Sequence, residues 1–162
     1  MIFVSVGTNE APFDRLLRAV DRLPEDEVVV AQCGSSSHRP SRASCVDFLP
    51  FDALVEHVRA ADTVVTHAGA GSVIVALLNG KRPVVVPRLR RFGEAVDDHQ
   101  LQFAEHLAER GLVTVVQDPD RLADAIRLGS SRATPDFRIG GALVDELRGY
   151  LAELVGGARG RG

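Results

Sequence analysis

The run Thr66-His67-Ala68-Gly69-Ala70-Gly71-Ser72 places two glycines, a hydroxyl and an imidazole between a strand-like apolar run, residues 63–66, and a helical segment, residues 72–79. Glycines let the backbone turn tightly and approach a ligand, and the free amides and positive dipole end of a following helix attract an anion such as a diphosphate. Ser72 can cap that helix or donate its hydroxyl to a phosphate oxygen, and His67 can donate an imidazole proton from the strand end. Taken alone, such a turn is more often plain structure: a connecting loop, a cap and a satisfied histidine.

Two further polar loops change the balance. Pro87 to Gln100, reading PRLRRFGEAVDDHQ, follows the next apolar run, and Gly7-Thr8-Asn9 follows the first one. If all three runs are parallel strands, the loops share the carboxyl edge of one sheet, where open α/β sheets bind ligands. Asp98, His99 and Gln100 stand at an expected helix start, with hydrogen-bonding groups suited to sugar hydroxyls. Singly, each residue has a plainer reading: Asp97 and Asp98 as helix caps, Arg88, Arg90 and Arg91 as a solvated loop, and Gly7-Thr8 as an ordinary strand-to-helix turn. Three adjacent side chains at a helix start cannot converge on one ion, so no metal site is expected from Asp97, Asp98 and His99.

The elements that must position these loops follow from periodicity. Short β-branched runs at 2–6, 28–32, 45–48, 63–66, 83–86 and 113–116 alternate with amphipathic segments at 13–23, 51–60, 72–79, 96–110, 119–128 and 141–155. That rhythm specifies an α/β fold, a Rossmann-like open parallel sheet with helices on both faces. Residues 33–44, rich in Ser, Gly and Arg, are expected to be a mobile loop. Residues 1–155 are expected to form one domain and 156–162 a disordered glycine-arginine tail. The apolar stripe Leu143, Val144, Leu147, Leu151 and Leu154 fits either a docking helix or a packed core helix.

Composition narrows the function classes. With 162 residues, 45% of them apolar and 25% charged, the chain suits one folded domain. A net charge of -3 gives no basic field for nucleic acid. No apolar run approaches the roughly twenty residues that span a bilayer, and a cytoplasmic location is expected. Cys33 and Cys45 lie in no metal-binding or redox spacing and read as structural. The absence of G-x-G-x-x-G after the first strand argues against a dinucleotide-dependent dehydrogenase.

In combination and order, Phe3-Val4-Ser5-Val6-Gly7-Thr8, His67-Ala68-Gly69-Ala70-Gly71-Ser72, Pro87-Arg88, Gly93-Glu94 and Asp98-His99-Gln100 resemble the C-terminal domain of glycosyltransferase family 28, within the GT-B superfamily. The similarity covers roughly residues 2–111 and is greatest to single-domain members: bacterial exopolysaccharide subunits of the PssE and EpsE type, and the eukaryotic subunit that adds the second N-acetylglucosamine to dolichol-linked sugar. The resemblance implies the donor-binding half of a GT-B enzyme, a hexosyltransferase using a UDP-sugar without an obligatory metal or other cofactor. It implies a separate membrane-anchored subunit that binds a lipid-linked or polysaccharide acceptor, supplies the base, and recruits the chain to the cytoplasmic face. By position, His67, Ala68, Gly69, Ala70, Gly71 and Ser72 would hold the diphosphate, Gln100 with Asp98 or His99 the sugar, and Gly7 and Thr8 the cleft floor, with Arg88 among the donor contacts. Val75 stands where many relatives carry a ribose-binding glutamate, and Glu94 is the candidate replacement. His67 is the one candidate within the chain for a catalytic role. A non-catalytic nucleotide-binding module is the alternative.

Overall fold

The computed structural model describes residues 1–130. Six parallel strands form one sheet in the order β3-β2-β1-β4-β5-β6. They are β1 (Ile2–Ser5), β2 (Val29–Gln32), β3 (Ala43–Val46), β4 (Thr63–Thr66), β5 (Val84–Val85) and β6 (Thr114–Val115). The helices are α1 (Asp14–Val20), α2 (Phe51–Ala60), α3 (Ala70–Leu78), α4 (His99–Glu109) and α5 (Leu122–Ser130).

Alternation along each strand sorts the core into two faces, because successive side chains of a strand point to opposite sides. Ile2, Val4 and Val6 pack with Val84 and Val86 against Leu16, Leu17 and Val20 of α1 and Leu122 and Ile126 of α5. Phe3 faces the other way, onto Val58 of α2 and Ala76 of α3, while Val85 meets Val73 and Leu77 of α3 and Phe103 and Leu107 of α4. The valine runs are continuous because the central strands are covered on both faces.

The chain winds from β1 outward through β2 to β3, then returns to lay β4 on the other side of β1, in register from Ile2↔Thr63 to Ser5↔Thr66. Strand order therefore reverses between β1 and β4. The connections leaving the carboxyl ends of those two strands run to opposite faces of the sheet and leave a crevice between them, the usual ligand position in open α/β sheets.

Three expectations are revised. Residues 33–44 are tethered at several points: Ser36 Oγ accepts from the Phe13 amide at 2.8 Å, Asp14 Oδ1 from the amides of Ser37 and His38, and Asp21 Oδ1 from that of Ser41. The helix expected over 96–110 starts at His99, since Asp98 Oδ1 accepts from the Arg90 amide and holds the preceding residues in a loop. The segment expected as helix over 119–128 opens with a 3-10 turn, Pro119–Arg121, before α5. The tail and the apolar stripe from Leu143 to Leu154 lie outside the described residues.

Candidate functional site

At the switch point, the imidazole of His67 is wedged between two glycine backbones. A Cβ on Gly7 would come within 2.3 Å of the ring, and one on Gly69 within 2.1 Å. Gly7 has φ +78°, a left-handed conformation that glycine adopts freely. Gly69, at φ -75°, is conformationally ordinary. Its requirement is room for the histidine rather than the freedom to turn that its sequence setting suggests. Ser5 fixes the turn from below, its hydroxyl donating to Gln32 Oε1 at 3.0 Å and accepting from the Gly7 amide at 3.3 Å.

His67 is only 9% exposed. Burial, reinforced by the positive charge of Arg88, pushes its pKa down to about 4, against a smaller opposing effect of the Ser5 carbonyl. The ring is neutral at neutral pH: it can donate one hydrogen bond but is too weakly basic to collect a proton from a hydroxyl.

Beyond it, Gly69 is the residue before α3, so Ala70, Gly71 and Ser72 form the first turn, where backbone amides have no acceptor within the helix. Ser72 is therefore not the cap, and the end has no side-chain cap at all. A Cβ on Gly71 would meet nothing within 4 Å. No side chain caps these amides, Gly71 is exposed, and Ala70 and Ser72 are half-buried, an arrangement compatible with an anion at a helix start. Val75, one turn on, packs among the residues beneath the sheet with Phe3 and Val58.

The glycine floor continues away from the turn. Gly34, after β2 at φ +53°, is so close to Gly7 that a Cβ there would lie 3.0 Å from the Gly7 carbonyl and 3.9 Å from the Phe48 ring. Phe48 follows β3 and is 53% exposed. Cys33, the residue before Gly34, is a buried free thiol whose pKa burial pushes up to about 12, consistent with a structural residue. The edge thus offers amides and an imidazole at one end and an open aromatic ring at the other. Phe48 and Gly34 do not stand out in the sequence, because an exposed phenylalanine becomes visible only when β3 is placed two strands from β1.

The loop after β5 divides into frame and surface. Arg88 and Glu94, expected as donor contacts, are 0% and 4% exposed. Arg88 donates to the carbonyls of Val6, Ala11, Pro12 and Glu94, and its guanidinium lies 4.6 Å from the Phe13 ring centre. Both Glu94 oxygens bind Arg15 at 2.8 Å, and one also accepts from the Leu89 amide. Arg15 further donates to the carbonyls of Pro87 and Gln117, tying α1 to the loops after β5 and β6. The two residues brace the loop from beneath, and both Glu94 oxygens are taken up within it.

Gln100 and the exposed Thr8, Asp98 and His99 remain at the surface. Gln100 Oε1 accepts from the Arg88 amide at 3.2 Å, which leaves its NH₂ group free to donate. Asp97 behaves as a cap, accepting the His99 amide at 3.1 Å and pairing with His99 Nδ1 at 2.7 Å; these bonds lower its pKa. Arg15 and Phe13 escape notice in the sequence because they look like ordinary residues at the start of a helix. Among the described residues no cluster of three or more His, Cys, Asp or Glu could hold a metal ion, and no helix is long and apolar enough to cross a membrane. Surface clefts of about 640 and 520 Å³ open on the β6 side, and neither is lined by a residue of the glycine turn.

Known proteins resemble the chain in sequence and in fold. The glycosyltransferase family 28 C-terminal domain matches residues 1–135. The UDP-N-acetylglucosamine transferase subunit ALG13 of Yarrowia lipolytica is 36% identical over 83 residues, covering 51% of this chain and 40% of that protein. The UDP-N-acetylglucosamine--N-acetylmuramyl-(pentapeptide) pyrophosphoryl-undecaprenol N-acetylglucosamine transferase of Cupriavidus pinatubonensis is 33% identical over 122 residues, covering 70% of this chain and 33% of that protein. Among solved structures, the calicheamicin glycosyltransferase CalG4 superposes with a TM-score of 0.62 at 20% identity, over 94% of this chain and 43% of that one. The chain thus matches less than half the length of each of these relatives.

Proposed function

The chain belongs to the glycosyltransferase family 28 C-terminal domains, and from that premise we propose that it is the donor-binding half of a glycosyltransferase that moves a hexosyl group from a UDP-sugar. The observation that carries this reading is the helix start at Ala70, Gly71 and Ser72, without a side-chain cap and beside a neutral His67, at the point where strand order reverses between β1 and β4.

In this reading the diphosphate lies on the amides of that helix start, with the Ser72 hydroxyl and, in the tautomer protonated at Nε2, the His67 N–H as further donors. Donors fixed in place before the reaction stabilise the charge that grows on the leaving diphosphate, an effect worth several kcal/mol in enzyme sites. The glycine floor lets the nucleotide approach the backbone, and Phe48 offers its ring face to the base. Gln100, with Asp98 or His99, reaches the sugar, and Thr8 borders the cleft. No metal is required, because amides and the imidazole take the role of the counter-charge.

Transfer also needs an acceptor held opposite the sugar and a base for its hydroxyl. His67, neutral and weakly basic, is a donor rather than that base. The matched relatives are more than twice the length matched here, and one bears the name of a transferase subunit. On the likeness to that named subunit, we assign the acceptor site and the base to a separate, membrane-anchored polypeptide that brings the chain to a lipid-linked or polysaccharide acceptor at the cytoplasmic face. One observation favours a second reading, a nucleotide-binding module without transfer: α3 carries no carboxylate for ribose, and Val75 packs partly buried against the core.

Thermal unfolding with and without UDP, in the absence of metal, tests the site. Ligand at about a hundred times its Kd adds roughly 2.7 kcal/mol of stability. A chain whose melting temperature is unmoved by millimolar UDP does not carry the site. Hexosyl transfer appearing on addition of the acceptor subunit favours the enzyme, and binding without transfer favours the module.

A further inference from the structure

We infer that Arg88 is a fixed counter-charge for the donor diphosphate, acting on it through the Gly7 turn without touching it. This inference rests on the donor-site reading above. Arg88 is fully buried, yet its hydrogen bonds go to carbonyls: Val6 at 2.9 Å, Ala11 at 2.8 Å, and Pro12 and Glu94 at 3.4 Å. Its Nε–H has no partner. The carboxylate that acts on it electrostatically, Glu94, is gripped through both oxygens by Arg15. Two guanidinium groups therefore share one carboxylate, with the Phe13 ring facing both at 4.6 and 5.4 Å, and the block keeps one surplus positive charge.

A surplus buried charge is costly, and a neutral donor could latch the same carbonyls without that cost. The surplus is repaid when an anion arrives. Arg88 holds the carbonyl of Val6, the residue before Gly7, and its field is felt by His67 across that turn. An anion on the amides of α3 would sit beyond the same histidine, and a charge buried in protein is screened less than one held in water. Arg88 is thus a positioning residue with an electrostatic effect, and the charge is what distinguishes it from a clasp.

The test uses the whole chain, UDP and uridine, without metal. In ³¹P NMR titrations the terminal phosphate of bound UDP should lose its last proton at a pH at least about 1 below that of free UDP. The Arg88→Met variant should reverse most of that difference. Arg88→Met should weaken UDP at least about tenfold, Arg88→Lys by no more than about threefold, and uridine should change less than about twofold in either. A bound phosphate that titrates like free UDP in the wild-type chain overturns the inference with no variant needed. Equal losses for UDP and uridine, or unchanged UDP binding in Arg88→Met, also overturn it, leaving Arg88 a clasp. Wild-type chain that binds neither ligand sinks the donor-site reading, and this inference with it.

Discussion

The two glycines of the central turn look alike in the sequence and have different work. Gly69 makes room for His67, and Gly71 borders open space. Gly69→Ala should therefore destabilise the fold by about 1–3 kcal/mol, the usual cost of overpacking a filled site. Gly71→Val adds its side chain to open space in a helical turn, so its stability should stay within about 1 kcal/mol of wild type. Its UDP affinity should nevertheless fall by at least about tenfold. Urea denaturation and calorimetric titration check the pair; a Gly71→Val chain that binds UDP normally refutes the anion site. His67 adds a pH dependence. Its folded pKa, about 4, lies below the ordinary 6.5, so the unfolded chain binds the proton more readily. The associated stability is present above pH 6.5 and is lost as pH falls towards 4, by about 3 kcal/mol in all. His67→Gln should remove that slope from urea midpoints measured between pH 7 and 4.

At the level of elements, the loop after β5 is held by an ion pair that bridges distant parts of the sequence. The Arg15 side chain is 17% exposed and the Glu94 side chain 6%, and their bidentate contact joins α1 to the loop that carries Gln100 into α4. Removing one partner of such a pair strands the other, at about 3–5 kcal/mol. Glu94→Ala should show a loss of that size in urea denaturation, and one below about 1 kcal/mol would mean that the pair does not hold the loop. The roles of Arg88 and Glu94 were not legible in the sequence. Arginines in a Gly- and Asp-containing loop read as solvated, and only the folded chain brings Val6, Ala11 and Arg15 to them. The start of α4 was illegible for a similar reason. Ala95 and Val96 continue its apolar pattern, yet Val96 is 90% exposed, because Asp98 is drawn to the Arg90 amide.

Over the whole molecule the parallel sheet was legible throughout. The central strands are β-branched runs that must be covered on both faces, and every run but that of β2, which leads through a loop into β3, is followed by an amphipathic segment able to cover it. The pattern placed the three polar loops on one edge before any contact was known. It did not distinguish a residue lining that edge from one bracing it from beneath. That difference depends on pairs such as Arg15 and Glu94, 79 positions apart, which neither periodicity nor spacing reports.

The strands beneath the site are unequal in length, and this divides the site into parts that open at different rates. β1 is laced to β2 and β4 through four paired positions on each side, whereas β5 meets β4 and β6 through two. The His67 turn springs from the long ladders and the Arg88 loop from the short ones. Local opening follows the weaker pairing, so in deuterium exchange the amides of Val86 and Val116 should be replaced well before those of Val4 and Val65. Nucleotide bound across the crevice should slow the early exchangers more than the late ones. The domain would then grip its donor with one rigid jaw and one that breathes, and the breathing jaw is where release of the spent nucleotide would begin.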